Sequence, residues 1–206
     1  MNVAPEASSR ERILEAALDL FARQGFAATS MRQIGAAVGM RAPSLYNHFA
    51  GKDAILSALI DAHGPANSAG RLASPRYRAL AEDPAGFCRQ YAADSLDQWL
   101  GHDEMRFMEL LSTERGRLDA HRAQFVDTLF ETEVGIAADY FRGFALRGQI
   151  HAPDPKECAR LFMAGLTFVR MQFILMPPAP AERAVIAQAL DRTVSNFLEL
   201  TAPRPT

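Results

Sequence analysis

Three glycines divide the start of the chain into short pieces, and their spacing constrains the fold more than any other feature. Gly25, Gly39 and Gly51 each follow a run in which apolar residues recur every three or four positions. That period buries one face of a helix, whereas a strand requires strict alternation. Because glycine favours helix ends, the start of the chain is predicted to form three short helices joined by turns.

The predicted helices run from Arg10 to Gln24, from Met31 to about Val38 and from Pro43 to about Phe49. Ser30 and Gln33 have capping-box spacing at the start of the second helix. The proline that opens the third helix suits a first turn, where its missing N–H would have no partner within the helix. Two helices separated by a turn of three or four residues are the sequence form of a helix-turn-helix unit.

The rest of the chain is also helical in pattern, and strand signals are nearly absent. Asp154, Pro155 and Glu157 mark the start of a helix that is apolar around most of its circumference. Pro177 and Pro178 end that helix, and a last helix is predicted over about 181–200. We therefore predict an all-α fold of about nine helices.

Charge confines any surface that faces phosphates to the start of the chain. The whole chain carries a net charge of −2, made of +1 in residues 1–55 and −3 in the remainder. A global charge of this size neither supports nor excludes DNA binding.

Cysteine usage and apolar stretches indicate a reduced, cytoplasmic setting. Cys88 and Cys158 lie far apart without a CxxC pair or a neighbouring histidine, so we predict free core thiols. Residues 1–12 lack the apolar core of a signal peptide. The longest apolar stretch, Leu161–Met176, is shorter than a bilayer span and contains Arg170. We expect a cytoplasmic protein.

The detailed order of residues in the first 53 positions resembles the N-terminal domain of the TetR family. The matching runs are TSMRQI at 29–34, AVG at 37–39, PSLYNHF at 43–49 and GKD at 51–53. Gly35 departs from the pattern, because the family usually has alanine there, and glycine costs up to about 1 kcal/mol inside a helix. The close resemblance covers about residues 10–60.

This resemblance implies a helix-turn-helix DNA-binding domain over residues 1–55 and an effector-binding and dimerisation domain over residues 56–206. It also implies a homodimeric transcriptional repressor that binds a palindromic operator and is released by a small-molecule effector. In TetR-like proteins the last two long helices pair across a twofold axis, which here corresponds to about 155–176 and 181–200. The apolar circumference of the first of these helices agrees with burial on two sides, and Ala164 and Gly165 would permit close approach of a partner.

Position in the helix-turn-helix unit assigns the candidate DNA contacts. The start of a recognition helix faces base edges, so four residues are candidates for the major groove: Arg41, Ala42, Ser44 and Asn47. Leu45 and Phe49 are predicted to point inward and to anchor this helix on Ile34 and Val38.

Tyr46 and His48 are predicted to contact the DNA backbone rather than the bases, as is Thr29 or Ser30. Arg32 is a further DNA-binding candidate. In the family, the matching tyrosine and histidine make contacts with the DNA backbone. Thr29 or Ser30 would add a hydroxyl to the free N–H groups at the start of the second helix. Lys52 is a further candidate, because a cation in the first turn of a helix opposes the helix dipole unless a phosphate lies there.

The family also has an internal effector pocket, whose occupation moves the fourth helix and changes the spacing of the two heads. In this sequence the predicted apolar wall and its polar groups are Tyr91, Trp99, Phe107, Met108, His121, Phe125, Phe168, Met171 and Gln172. Met and aromatic side chains at helical spacing also fill ordinary cores. Gly64 and Pro65 are either a hinge that transmits the motion or a simple helix end.

Two other interpretations compete with an effector-controlled repressor. An enzyme is disfavoured, because the five histidines lack metal-ligand spacing and no GxGxxG, P-loop or Ser/His/Asp set is present. We accordingly predict no catalytic residue, no metal, no cofactor and no membrane partner. The second alternative is a TetR-like regulator without a small effector, which binds DNA constitutively or responds to a partner protein.

Overall fold

A computed structural model of the chain describes residues 8–63, 70–113, 131–177 and 179–203. In this part of the chain all regular structure is helical, which confirms the predicted all-α class. It contains ten α-helices with defined bounds and the π-helical segment Met171–Leu175, and residues 131–133 are π-helical as well. The α-helices are α1 (Ser9–Gln24), α2 (Met31–Ala37), α3 (Ala42–Tyr46), α4 (Lys52–His63), α5 (Pro75–Arg78), α6 (Pro84–Trp99), α7 (His102–Thr113), α8 (Val134–Leu146), α9 (Pro155–Arg170) and α10 (Arg183–Leu200).

The described residues form two compact units. The first unit contains α1 to α4 together with α7, and the second contains α5, α6, α8, α9, the π-helical segment and α10. Packing therefore does not divide at residue 55, because all of α4 and the later helix α7 belong to the first unit. A packing unit is not the same as a functional domain, so the functional division at residue 55 stays a prediction.

The first unit has its own apolar core. The predicted inner face of α1 is confirmed at Ile13, Ala17 and Phe21, which are fully buried. The predicted inner face of α4 is also buried, as the 0% exposure of Ile55 and Leu59 shows. This core holds α1, α2, α3, α4 and α7 as one body.

Capping boxes fix the starts of the first two helices. At α1 the Ser8 backbone N–H donates to Glu11 at 2.7 Å, and the Glu11 N–H donates to the Ser8 hydroxyl at 3.3 Å. The predicted capping box of α2 is confirmed, because Gln33 N–H donates to the Ser30 hydroxyl at 3.2 Å and the Ser30 N–H donates to Gln33 Oε1 at 2.8 Å. Both helix starts are thus specified by residues three apart in sequence.

The second unit is built on aromatic side chains. Phe87 of α6 packs edge-on against Phe141 and Phe144 of α8, with ring centres 5.8 Å apart in each pair. Phe141 also packs edge-on against Phe162 of α9 at 5.8 Å. These contacts join three helices around one core.

The predicted start of α9 is confirmed. The Asp154 carboxylate accepts hydrogen bonds from the N–H groups of Lys156 and Glu157, at 3.0 and 3.1 Å, and Pro155 opens the helix. The helix continues as α-helix to Arg170 and then widens to a π-helical turn through Leu175. The last helix begins at Arg183 and not at about residue 181.

Gly165 has a different role from the predicted contact with a partner. A methyl group at this position would stand 2.9 Å from Cγ2 of Thr193 on α10, which is closer than real side chains approach. Gly165 is therefore required for the close packing of α9 on α10 within one protomer. The Thr193 methyl has little freedom to move, because its hydroxyl donates to the Ala189 carbonyl at 2.9 Å.

The helical stretch Pro155–Leu175 is long and apolar enough to cross a membrane by length and composition, with a mean hydropathy of 1.4 in its most apolar part. It is longer than the apolar run predicted from the sequence. Only 28% of that part is buried within the chain, and the buried residues form one stripe along α9. Most of the residues in this part of the stretch are therefore not buried in the core of the second unit.

Candidate nucleic-acid interface

A Schellman turn joins α2 to α3. The Met40 N–H donates to the Gly35 carbonyl at 2.8 Å, and the Gly39 N–H donates to the Ala36 carbonyl at 3.3 Å. Gly39 adopts a φ of 70°, the left-handed conformation that this turn requires and that glycine adopts without strain. The sequence therefore folds locally into a helix, a tight turn and a second short helix.

Apolar anchors hold α3 against the rest of the first unit, as predicted. Leu45 is 0% exposed and Phe49 is 4% exposed. They belong to the same core as Ile34 and Val38 of the preceding helix and its end. Because two side chains four residues apart are buried, the opposite face of this segment is turned to solvent.

Predicted DNA contacts are exposed along the α3 segment and at the start of α2. Tyr46 is 54% exposed, a large value for an aromatic side chain. The other predicted contacts with exposed side chains are Ser30, Arg32, Arg41, Ser44, Asn47 and His48. The side chain of Ala42 lies outside the described part of the structure. The surface presents hydroxyl, amide, imidazole and guanidinium groups together, which suits phosphate and base edges.

Among the predicted contacts whose side chains the structure describes, Thr29 alone is buried, with 2% exposure. Its hydroxyl donates to the Gly25 carbonyl at 2.8 Å and accepts from the Gln24 side-chain amide at 3.0 Å. The hydroxyl thus ties the end of α1 to the start of α2. Of the two hydroxyls proposed for one phosphate, only that of Ser30 is exposed.

Lys52 is partly buried and has partners inside the first unit. Its ammonium group donates to the Phe26 carbonyl at 2.6 Å and to the Ala27 carbonyl at 3.4 Å, and it lies 4.6 Å from the centre of the Phe26 ring. These contacts explain why a cation is tolerated in the first turn of α4. An ammonium group has three donors, so one further contact, such as a phosphate, can be added.

The predicted effector-pocket residues that the structure describes are divided between the two units. Phe107 is 1% exposed and belongs to the core of the first unit, and its neighbour Met108 is on the same helix, α7. Phe168 and Met171 are 68% and 40% exposed, and Gln172 is exposed as well. The second unit by itself thus does not bury Phe168, Met171 and Gln172, and the pocket wall stays a prediction. His121 and Phe125 lie outside the described residues.

The sequence pattern could not predict the exposure of Phe168 and Met171, for a simple physical reason. A helix that is apolar all round gives no signal of which side faces inward, and on α9 the inner stripe contains Phe162, Leu166 and Val169. Phe168 and Met171 lie outside this stripe and are exposed. Only Tyr91 and Trp99 of the predicted wall are buried in the second unit, at 7% and 8% exposure.

A buried polar cluster surrounds Tyr91. Its hydroxyl donates to Glu133 at 2.5 Å, and Glu133, in the π-helical residues 131–133 before α8, is 3% exposed. Burial and the adjacent Glu133 carboxylate raise the pKa of Tyr91 well above its ordinary value. The Arg71 guanidinium lies 5.7 Å from the Tyr91 ring centre and donates to Gln98 at 3.0 Å.

A second cation, Arg170, lies 5.4 Å from the centre of the Trp99 ring. Tyr91 and Trp99 are eight positions apart on α6 and, with Ser95 between them, form one buried face. That helical spacing was visible in the sequence, whereas nothing in it indicated that Glu133, Arg71 and Arg170 would meet this face. We name Tyr91, Trp99, Glu133, Arg71 and Arg170 the inner polar cluster.

The first unit has a different kind of recess, a cleft of about 420 Å³ that is lined by residues of α1, α2 and α7. Its charged lining residues are Arg12, Glu15, Asp19 and Arg106. Arg106 pairs with Asp19 at 3.5 Å, and Arg12 donates to the Val38 carbonyl at 3.1 Å. The cleft does not correspond to the predicted apolar pocket.

A second exposed surface of the molecule is apolar. We name the outer side of α9, the π-helical segment and the start of α10 the outer apolar face. Its large exposed residues are Leu161, Phe168, Met171, Leu175, Met176 and Val185. Large exposed apolar side chains on neighbouring helical segments are typical of a surface that binds a partner.

The two cysteines are free and buried, as predicted. Burial raises the pKa of Cys158 to about 11 and raises that of Cys88 as well. Both thiols are therefore protonated and unreactive at neutral pH. Within the described ranges, no group of three or more His, Cys, Asp or Glu side chains is placed to hold a metal ion.

Comparisons with known proteins agree with the helix-turn-helix geometry. Residues 13–59 match the model of bacterial regulatory proteins of the tetR family. No curated protein sequence matches the chain significantly.

Solved structures match the chain over nearly its whole length. A protein of Mesorhizobium loti assigned to the TetR-family transcriptional regulators has a TM-score of 0.76 and 18% identity, with 97% of this chain and 100% of the other covered. The flavonoid-responsive regulator FrrA has a TM-score of 0.69 and 25% identity, with 95% and 98% covered. SmeT, the repressor of the multidrug efflux pump SmeDEF in Stenotrophomonas maltophilia, has a TM-score of 0.67 and 21% identity, with 95% of this chain and 91% of SmeT covered.

Proposed function

We propose that this chain, whose residues 13–59 match the model of the tetR family of bacterial regulators, is a homodimeric transcriptional repressor released by a small molecule. Proteins of this family are DNA-binding regulators rather than enzymes. We further propose that residues 1–55 supply DNA binding, that residues 56–206 supply effector binding and dimerisation, and that the protein works in the cytoplasm.

The exposed polar face of α3 is the observation that carries the DNA-binding part of this proposal. Leu45 and Phe49 fix the helix from beneath, so the side chains above them need little reorganisation on binding. In our proposal Arg41, Ser44 and Asn47 read base edges, together with Ala42. The DNA backbone would be contacted by Ser30, Arg32, Tyr46, His48 and the remaining donor of Lys52.

The outer apolar face supports the homodimer. Phe168 and Met176 are 68% and 71% exposed in one protomer, and a twofold axis would let the same face bury itself against its copy. Two heads related by this axis would place their recognition helices about 34–36 Å apart, which predicts a palindromic operator. Light scattering at micromolar concentration tests the assembly, and a monomeric mass would contradict it.

The inner polar cluster is our proposed effector site, in place of the wall predicted from the sequence. Tyr91 and Trp99 offer ring surface, Glu133 offers an acceptor, and the guanidinium groups of Arg71 and Arg170 offer donors. This set suits a planar aromatic molecule with hydroxyl groups, which can stack and hydrogen bond at once. FrrA, by its description, responds to flavonoids, which belong to this class.

Trp99 is the single tryptophan of the chain, so its fluorescence reports directly on this site. We expect a flavonoid or a related planar phenol to quench Trp99 and, at the same concentration, to release the protein from DNA. Glu133→Gln should weaken both responses in parallel while DNA binding without ligand is kept. A regulator that has no small effector would show neither response to any of a broad set of planar phenols.

A further inference from the structure

Arg10 lies beside the end of the recognition helix although the two are far apart in sequence. It is an exposed residue in the first turn of α1. Its guanidinium carbon stands 4.7 Å from the centre of the Phe49 ring. Phe49 is 4% exposed and directly follows His48, one of the proposed backbone contacts. The ring thus places a cation at the edge of the proposed DNA surface.

The charge of Arg10 is not neutralised within the described ranges, where no carboxylate forms an ion pair with it. The adjacent Glu11 is used by the helix cap, since its carboxylate accepts from the Ser8 N–H at 2.7 Å. Other arginines of α1 are engaged: Arg12 donates to the Val38 carbonyl, and Arg23 pairs with Asp19 at 3.0 Å. An aromatic face attracts a guanidinium group but satisfies none of its five N–H donors.

We propose that Arg10 is a phosphate-binding residue of the DNA interface, positioned by the Phe49 ring. The planar guanidinium group can bind two oxygens of one phosphate, a geometry that lysine cannot reproduce. Contact with the ring restricts the long side chain before DNA arrives, so less conformational freedom is lost on binding. This inference rests on the proposed DNA-binding function and extends its surface to α1.

Salt dependence of DNA binding tests the proposal without knowledge of the operator. The probe is a 30-base-pair duplex of arbitrary sequence, whose binding depends on phosphate contacts alone, and fluorescence anisotropy is measured from 50 to 300 mM salt. Arg10→Met removes the charge and keeps an apolar stem over Phe49. Arg23→Met is the matched control, because it makes the same substitution on the same helix at a residue that already has an acidic partner.

For Arg10→Met we expect the slope of log affinity against log salt to fall by about 0.9 for each bound head, and the affinity at 50 mM salt to fall about tenfold per head. Arg10→Lys should restore most of the slope and only part of the affinity. Arg23→Met should leave both near wild type. Thermal unfolding of each variant checks that the head is intact, and Arg10→Gln replaces Arg10→Met if the latter does not fold.

Two results would overturn the proposal. If wild type binds the duplex and Arg10→Met has the wild-type slope, Arg10 contacts no phosphate, although the proposed function stands. If Arg23→Met lowers the slope as much as Arg10→Met does, the effect belongs to the general charge of α1. Failure of the wild-type protein to bind any duplex at 50 mM salt would instead remove the proposed function, and this inference with it.

Discussion

The two units distribute polar and apolar side chains in opposite ways. Around α3 the exposed side chains are polar or cationic, and apolar anchors such as Leu45 lie beneath them. Along α9 the exposed side chains include Leu161 and Phe168, while in the same unit the carboxylate of Glu133 is buried against Tyr91. The first surface has the chemistry that suits a polyanion, and the second has the chemistry that suits an apolar partner. In our proposal the first unit therefore binds DNA and the second forms the dimer.

The largest expected effect comes from placing a charge on the outer apolar face. Phe168→Glu should weaken dimerisation at least about 100-fold, because a carboxylate would be buried without a partner. Analytical ultracentrifugation of the variant should show monomers at concentrations where wild type is dimeric. Leu146→Glu is the control, since Leu146 is 82% exposed but lies on α8, outside this face. Equal loss of dimer in both variants would contradict the assigned interface.

Two tyrosines test the contrast between an exposed and a buried hydroxyl. Tyr91→Phe removes the donor to a carboxylate of 3% exposure and should lower the free energy of unfolding by about 1–3 kcal/mol. Tyr46→Phe, at a residue 54% exposed, should change it by less than about 0.5 kcal/mol. Urea unfolding of both variants measures the difference. A Tyr91→Phe protein as stable as wild type would show that the inner hydrogen bond contributes nothing.

Packing of α9 on α10 can be tested with a pair of glycines. Gly165→Ala should destabilise by about 1–2 kcal/mol, because its methyl would stand 2.9 Å from the Thr193 methyl. Thr193→Ser in the same protein should recover most of this loss. Gly135→Ala is the control on α8, where a methyl would meet nothing within 4 Å, and a gain of up to about 1 kcal/mol is expected. Additive effects of the two substitutions at Gly165 and Thr193 would refute the clash.

The smallest expected effect is a pH dependence in the first unit. His63 packs on Phe107, with ring centres 5.8 Å apart, and burial lowers its pKa below the ordinary 6.5. Asp103 and Glu104 raise the pKa of His63, and Arg106 lowers it, but these are smaller effects than burial. The unfolded chain therefore takes up a proton more readily than the folded one at mildly acid pH.

The direction of the pH effect on stability follows from the lower pKa of His63 in the folded chain. The stabilisation from neutral His63 is complete above pH 6.5 and is lost as pH falls from 6.5 through the lowered pKa. In His63→Phe, which keeps a ring against Phe107, the unfolding temperature should fall less between pH 7.5 and pH 5.5. His48→Phe, at an exposed histidine, serves as the control. A pH response of His63→Phe that equals wild type would contradict the assignment.

The first unit could be predicted closely because its determinants are local. Capping pairs three residues apart and apolar positions three or four apart fixed the bounds of α2 and the burial of Leu45 and Phe49. The burial of Thr29, a predicted contact, was not foreseen, because the carbonyl that accepts from its hydroxyl belongs to Gly25 at the end of α1. A sequence pattern shows that a hydroxyl begins a helix, but not which other groups surround it.

The polar contacts of the second unit could not be predicted, because they join residues that are far apart in the sequence. Tyr91 and Glu133 are 42 residues apart, and no spacing rule links them. The apolar circumference of α9 correctly indicated burial beyond the core, but it could not show which side faces inward. Phe168 and Met171, which were predicted to line a pocket, are 68% and 40% exposed.

Footprinting on the DNA upstream of the chain's own gene tests the central claim, that the exposed face of α3 binds DNA as one half of a dimer. We expect the dimeric wild-type protein to protect a palindromic site, Tyr46→Ala to weaken protection, and Lys52→Ala to weaken it and to lower the salt slope by about one. A folded, dimeric wild-type protein that binds neither this DNA nor an arbitrary duplex at 50 mM salt would contradict the claim.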